Sequence, residues 1–195
     1  TRIWQDVDHD RCGVVPHLMD PDFGFARYAE NVLTKPQITA WRTGRVKAVG
    51  SKTAPELYAA HLSQREAAQI LSNFFYDVRL KSRIELRAAD SMPPRYIAAY
   101  AQLVKSVFGS PAALQNVLRH YAGITTLDIT TAKLAVCKDG FNALAYGKPI
   151  SSELTWLLMQ ARSRTPSQEE RALLDPFMAL VMKRKTIRET ENYNE

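Results

Sequence analysis

The chain has 195 residues, 46% of them hydrophobic and 24% charged, a composition ordinary for a folded globular protein and too apolar for a disordered one. Its net charge of +6 is spread along the chain with both signs interspersed, a modest excess that suits a small anionic substrate as well as it suits a polyanion. No apolar run approaches the ~20 residues of a membrane span, the N-terminus lacks the layout of a signal peptide, and Cys12 and Cys137 are too far apart for a metal-like spacing, so a cytoplasmic protein with free thiols and no nucleic-acid or membrane partner is expected.

Residues 1–22 hold Asp6, Asp8, Asp10, Asp20 and Asp22, interrupted by Gly13, Pro16 and Pro21. That punctuation predicts a loop-rich entry, and the acidic run lacks the glycine and distant glutamate of a calcium loop. From Asp22 to Leu33, the residues Phe25, Tyr28, Ala29 and Val32 take the i, i+3, i+4, i+7 spacing of a one-sided helix, with Asp22 as its cap. Lys35 to Trp41 and Arg45 to Val49 flank Thr43-Gly44 and read as a β-hairpin. Arg42 then sits at the turn end of the first strand, where a long cation can reach into a cleft. Ala54 to Phe75 has helical periodicity through Leu57, Ala67, Ile70, Leu71 and Phe74, with Pro55 in the first turn; His61, beside apolar positions, reads as a packing residue.

The stretch Lys81 to Asp90 alternates charged and apolar residues, which predicts a strand with Arg83, Glu85 and Arg87 on one face and Ile84, Leu86 and Ala88 buried on the other. A carboxylate between two guanidinium groups can hold a divalent cation while its neighbours steady phosphate oxygens. The same alternation is also that of a solvated outer face laced with cross-strand ion pairs. Pro93-Pro94 ends the extended run, and Ile97, Tyr100, Ala101, Val104, Val107 and Phe108 trace one face of a helix.

Beyond Gly109 the signals are those of a helical array. Ser110-Pro111, Thr125 or Asp128, Ser151 or Ser152, Thr165-Pro166 and Asp175-Pro176 are starts, and Gly123 and Gly140 are stops; five or six helices are expected here. The basic cluster Lys183-Arg184-Lys185 with Arg188 reads as a solvated helix end. No glycine-rich phosphate loop, dinucleotide fingerprint or nucleophile elbow is present. Strands early and helices late, without βαβ alternation, predict an α+β fold with an antiparallel sheet and flanking helices. One domain over 1–195 is expected, its sheet in 1–92 and its helices in 93–195.

The string Phe75-Tyr-Asp-Val-Arg79-Leu-Lys81-Ser-Arg83-Ile-Glu85-Leu-Arg87-Ala-Ala-Asp90-Ser-Met92-Pro93 resembles the signature segment of the glutamate-cysteine ligases of bacterial and plant type. Thr1-Arg2-Ile3-Trp4, Asp6, Asp10-Arg11-Cys12-Gly13 and Phe23-Gly24-Phe25-Ala-Arg-Tyr28 look like further ordered parts of that family's pattern, and the match runs from Thr1 to about Phe108. The resemblance implies a glutamine-synthetase-like sheet with the site on its concave face. It also implies ATP- and Mg2+-dependent joining of the γ-carboxyl of glutamate to the amine of cysteine. On its terms Glu85 is the metal ligand, Arg87 the phosphate clamp, Arg83 a supporting cation, and Arg2 and Arg42 ligands of the glutamate carboxylates. Because the resemblance begins mid-protein, the chain is expected to be the C-terminal part of a longer enzyme, inactive by itself and prone to self-association through unpaired strand edges. Ala88-Ala89-Asp90-Ser91-Met92, where plant members look richer in glycine, leaves open a ligase for another amine; composition alone also leaves open a non-catalytic basic helical module.

Overall fold

The computed structural model describes residues 6–58 and 61–191, and its contacts divide the chain into two compact units, Thr1–Ala89 and Asp90–Glu195. The first unit mixes short strands and helices and the second is mostly helical, in keeping with the expected α+β class.

In the first unit the loop-rich entry contains one short strand, β1 (Cys12–Gly13), followed by α1 (Phe25–Leu33), β2 (Thr39–Arg42), β3 (Arg45–Ala48), α2 (Ala54–Leu57), α3 (Gln64–Ser72), β4 (Phe75–Tyr76), β5 (Val78–Leu80) and β6 (Ile84–Leu86). The hairpin β2–β3 turns at Thr43 (φ 49°) and Gly44 (φ 77°). Two successive left-handed residues give a turn whose twist matches that of paired strands. Helix α1 starts after Gly24 rather than on an Asp22 cap, and Asp22 instead pairs with Arg27 at 2.9 Å. Its buried face carries Tyr28, Asn31 and Val32, while Phe25, expected on that face, is 82% exposed. The long helical run expected over 54–75 is two helices, and α3 begins at a Ser63–Glu66 capping box, which satisfies two donors that a helix start otherwise leaves open.

The core of this unit gathers Val15, Tyr28, Val32, Ile70, Phe74 and Tyr76. A buried amide network joins α3 to β2. Asn73 Oδ1 accepts from the Thr39 N–H and hydroxyl, both at 3.0 Å, and Asn73 Nδ2 donates to Gln37 Oε1 at 3.0 Å. With its amides paired in this way the network carries little of the penalty of buried polar groups, and it fixes the register of β2 against the end of α3.

The single antiparallel sheet expected from the sequence is not what forms. Among the described residues the strands make four separate two-stranded sheets, and one of them, β1 with β4, is parallel. The expected burial of Ile84 and Leu86 is likewise corrected: they are 67% and 37% exposed. Alternation sorts the two faces of β6 correctly, but the apolar face opens onto a pocket of about 230 Å³ whose walls include Val15, Leu18, Phe23, Phe25 and Leu80. A two-stranded ribbon has no second layer to close that face.

The second unit holds α4 (Pro94–Phe108), α5 (Pro111–His120), α6 (Thr126–Asp139), a 3-10 turn at Gly140–Asn142, a small hairpin of β7 (Leu144–Ala145) and β8 (Lys148–Pro149), then α7 (Ile150–Ser163), α8 (Gln168–Ala172), α9 (Asp175–Lys183) and α10 (Ile187–Thr190). Among the described residues six α-helices follow Gly109, within the five or six expected. Ser110 caps α5 and Thr125, boxed with Asp128, caps α6. The core is built on Val107, Leu158, Ala161 and Leu174 with Leu103 and Phe177 against them, and Tyr96 stacks on Phe177 at 5.9 Å. In the basic cluster Arg184 adopts a left-handed conformation that closes α9 and donates to the Phe141 carbonyl at 2.8 Å. No helix among the described residues is long and apolar enough to cross a membrane.

Candidate functional site: a cation-lined hairpin

The hairpin β5–β6 turns at Ser82, closed by a 2.9 Å bond from the Lys81 N–H to the Arg83 carbonyl. Its register sets Val78 against Leu86, Arg79 against Glu85 and Leu80 against Ile84. Opposite charges placed directly across an antiparallel pair attract, and here they close up: Arg79 Nε donates to Glu85 Oε2 at 2.8 Å, and Arg79 Nη2 stands 2.7 Å from the same oxygen as an ion pair. Arg79 Nη1 donates backward to the Phe74 carbonyl at 3.0 Å. The buried guanidinium thus cross-links the chain before β4 to the middle of β6. A second tie anchors the hairpin to α1, where the Leu80 N–H donates to the Tyr28 hydroxyl at 3.1 Å.

Two more cations flank the carboxylate. Lys81 Nζ lies 3.9 Å from Glu85 Oε1 and Arg87 Nη1 lies 3.8 Å from Glu85 Oε2. The Arg79 hydrogen bond, aided by the charges of Arg79, Lys81 and Arg87, holds the Glu85 carboxyl below its ordinary titration range in spite of some desolvation. Arg87 is steadied by a 2.7 Å bond from its N–H to the Asp77 carbonyl, and its guanidinium stands 5.6 Å from the centre of the Phe75 ring. Three cations surround one carboxylate, so the hairpin carries a local excess of positive charge at a partly exposed face. Such a surface attracts anions and can share charge with phosphate or carboxylate oxygens.

The site residues expected from the sequence fall in different places. Glu85 and Arg87 are brought together. Arg83 belongs to the turn, is exposed, and makes no ion pair among the described residues. Arg42 stands at the end of β2 as expected, but its guanidinium donates to the Leu57 carbonyl at the end of α2, and no hydrogen bond or ion pair joins it to Glu85 among the described residues. Arg2 lies outside the described residues. Arg79 and Lys81 were not among the expected site residues. The signal was available as symmetry, since Arg79 and Glu85 are equidistant from Ser82 and a tight turn there sets them opposite each other.

The donor set decides what the hairpin could hold. Among the described residues no cluster of three or more His, Cys, Asp or Glu side chains is arranged for a metal. Glu85 Oε2 is committed to Arg79, which leaves Oε1, whose ion-pair partner among the described residues is Lys81 at 3.9 Å. Magnesium is commonly held by one or two carboxylates together with water and substrate phosphates. The fit is therefore that of a single oxygen donor beside an anion-attracting surface, short of a complete cage.

Comparison with known proteins adds an independent line. The family described as glutamate-cysteine ligase family 2 (GCS2) matches residues 1–178. A chloroplastic glutamate–cysteine ligase of Brassica juncea is 30% identical over 126 residues, which are 60% of this chain and 24% of that protein. The chloroplastic enzymes of Arabidopsis thaliana and Medicago truncatula are each 29% identical over the same length, again 60% of this chain, and 24% and 25% of those proteins. The chain therefore spans about a quarter of the length of these curated relatives.

Proposed function

The chain belongs to glutamate-cysteine ligase family 2, and from that membership we propose that it is part of an ATP-dependent ligase that joins the γ-carboxyl of glutamate to the amine of cysteine, the first step of glutathione synthesis. An amide does not form from a carboxylate at neutral pH without activation. In the proposed reaction a γ-carboxylate oxygen of glutamate attacks the terminal phosphorus of ATP and ADP leaves. The cysteine amine then attacks the acyl carbon, phosphate departs, and the amine gives up its proton.

Such a transfer is catalysed mainly by positioning and by neutralising the oxygens of the moving group. The observation that carries the proposal is the trio Arg79, Lys81 and Arg87 gathered around Glu85 on one hairpin, within the segment that the family matches. In this reading Arg87 clamps phosphate oxygens by its planar fork, Arg83 adds charge at the turn, and Arg42 and Arg2 orient the glutamate carboxylates. Glu85 is the residue of this chain that would help to hold magnesium, which when bound offsets phosphate charge. We further propose that the rest of the full-length protein supplies the other carboxylates and completes a glutamine-synthetase-like sheet on strand edges that are unpaired among the described residues. The same edges favour self-association of the isolated chain. The proposed setting is the cytoplasm; the plant relatives carry chloroplastic in their names.

The deciding experiment is a titration of ATP into the full-length protein with and without magnesium, followed by ADP release with glutamate and a panel of amines. Magnesium-dependent nucleotide affinity and ADP release that is largest with cysteine are expected. Affinity for nucleotide that ignores magnesium, with no ADP released, would show a binding module instead. Release that is largest with another amine would change the acceptor and keep the chemistry.

A further inference from the structure

Arg79 is absent from the roles assigned above to a direct contact, yet it holds Glu85 at 2.7 and 2.8 Å. It is buried, and each of its three nitrogens is engaged: Nε and Nη2 with Glu85 Oε2, Nη1 with the Phe74 carbonyl. Two nitrogens converge on one oxygen of Glu85 and leave the other to face Lys81 at 3.9 Å. A carboxylate held like this cannot swing to present both oxygens to one ion without breaking a charge-assisted hydrogen bond and an ion pair to a buried guanidinium.

We infer that Arg79 is a positioning residue that restricts Glu85 to donating a single oxygen, and so tunes the cation site for a small ion that keeps its water and phosphate ligands. The inference rests on the reading of Glu85 as a metal-holding residue. Magnesium accepts few protein oxygens and demands near-octahedral geometry, whereas calcium takes six to eight oxygens and readily accepts both oxygens of one carboxylate. Locking Oε2 therefore disfavours calcium more than magnesium. The positive charge of Arg79 also lowers the affinity for either ion until an anionic phosphate arrives, which couples cation binding to nucleotide. A purely structural cross-strand pair would cost stability on removal and leave cation preference untouched.

The test is calorimetric titration of Mg2+ and of Ca2+ into the full-length protein without turnover, comparing wild type, Arg79→Met, Arg79→Lys and Glu85→Gln, with the double variant R79M/E85Q as reference. Arg79→Met is expected to tighten Ca2+ by about tenfold or more, the scale on which one neighbouring charge shifts a carboxyl titration, and to tighten Mg2+ less. That gain should vanish in the double variant. Arg79→Lys, which keeps a charge but loses the fork, covers the case in which R79M does not fold, and is expected to give a smaller gain in the same direction. If Glu85→Gln abolishes cation binding while both Arg79 variants keep the wild-type ratio of Ca2+ to Mg2+ affinity, Arg79 does not restrict Glu85 and the inference falls alone. If Glu85→Gln changes cation binding in neither background, Glu85 is no ligand, and the inference falls together with the metal assignment on which it rests.

Discussion

The imidazole of His120 lies flat on the indole of Trp156, with ring centroids 3.5 Å apart and planes within 9° of parallel. Its Nε2 is 2.9 Å from Glu153 Oε2, and Lys148 Nζ reaches the other carboxylate oxygen at 3.3 Å. The pair joins the end of α5 to α7 and to the β7–β8 hairpin. Glu153 is a buried carboxylate in a helical unit, so the arrangement holds only while its partners remain. Replacing His120 by Ala removes both the stack and the hydrogen bond to the buried Glu153 carboxylate, and is expected to cost about 2 kcal/mol or more in urea unfolding. A change within a few tenths of that of an exposed-site control would show that the contact is incidental.

The same carboxylate makes the second unit sensitive to acid. Burial by itself would push the Glu153 carboxyl up; the hydrogen bonds and charges of His120 and Lys148 outweigh it, and the group ends below its ordinary value. A carboxyl whose folded-state value lies under its unfolded one stabilises above the unfolded value and loses that contribution as pH falls through the folded one. Wild type should therefore lose stability on acidification below about pH 4.3 more steeply than Glu153→Gln. The fluorescence-detected denaturation midpoint, measured from pH 6 to pH 3 in both proteins, gives the comparison. Parallel curves would mean that Glu153 titrates alike in both states.

In the full-length protein, Glu85→Gln and Arg87→Lys should each lower the rate of ADP release by about a hundredfold, the usual effect of losing one group that stabilises transition-state charge. The melting temperature should move little for Arg87→Lys and more for Glu85→Gln, which leaves the buried Arg79 guanidinium facing a neutral amide, and in both variants the loss of activity should exceed what the loss of stability explains. Arg83→Ala, at an exposed turn position, should change both quantities less. Loss of activity and of melting temperature in proportion, unrelieved by raised magnesium, would instead mark Glu85 as the centre of a structural ion-pair cluster.

At the β2–β3 turn, Thr43 holds a left-handed conformation that a β-branched residue resists, with φ at 49°. Thr43→Asn should stabilise the protein by on the order of 1 kcal/mol, because Asn-Gly is the favoured pair for this turn. Urea denaturation of the two proteins measures it, and a lower midpoint for the variant would indicate that the threonine side chain contributes something that asparagine lacks.

Legibility followed the range over which each signal acts. The Thr43-Gly44 turn and the Ser110 and Thr125 caps depend on neighbours within four positions, and they stand where local chemistry puts them. The Tyr146-Gly147 turn has the same left-handed pair of residues, but its strands are two residues long and contain no alternation to read. Charge alternation located Glu85 and Arg87 but not the arginine facing them, because alternation fixes faces and only the turn fixes register. The burial of Glu153 could not be read at all, since α7 has no feature that reports it until α5 and the hairpin bring His120 and Lys148 alongside. Arg42 lies at the strand end that its spacing indicates, and it is the nearby Leu57 carbonyl that takes its guanidinium.

The parallel pairing of Cys12–Gly13 with Phe75–Tyr76 has a kinetic meaning. The other strand pairs of the first unit are hairpins that a few residues can nucleate on the microsecond scale, whereas this one must close a loop of about sixty residues before its bonds, from the Phe75 N–H to the Arg11 carbonyl at 2.6 Å and from the Asp77 N–H to the Gly13 carbonyl at 2.7 Å, can form. The cation-lined β5–β6 hairpin begins one residue beyond that closure, at Val78. Its cations therefore gather on a chain still searching for β1, and a cut anywhere in the intervening loop would convert an intramolecular search into a concentration-dependent association of two fragments.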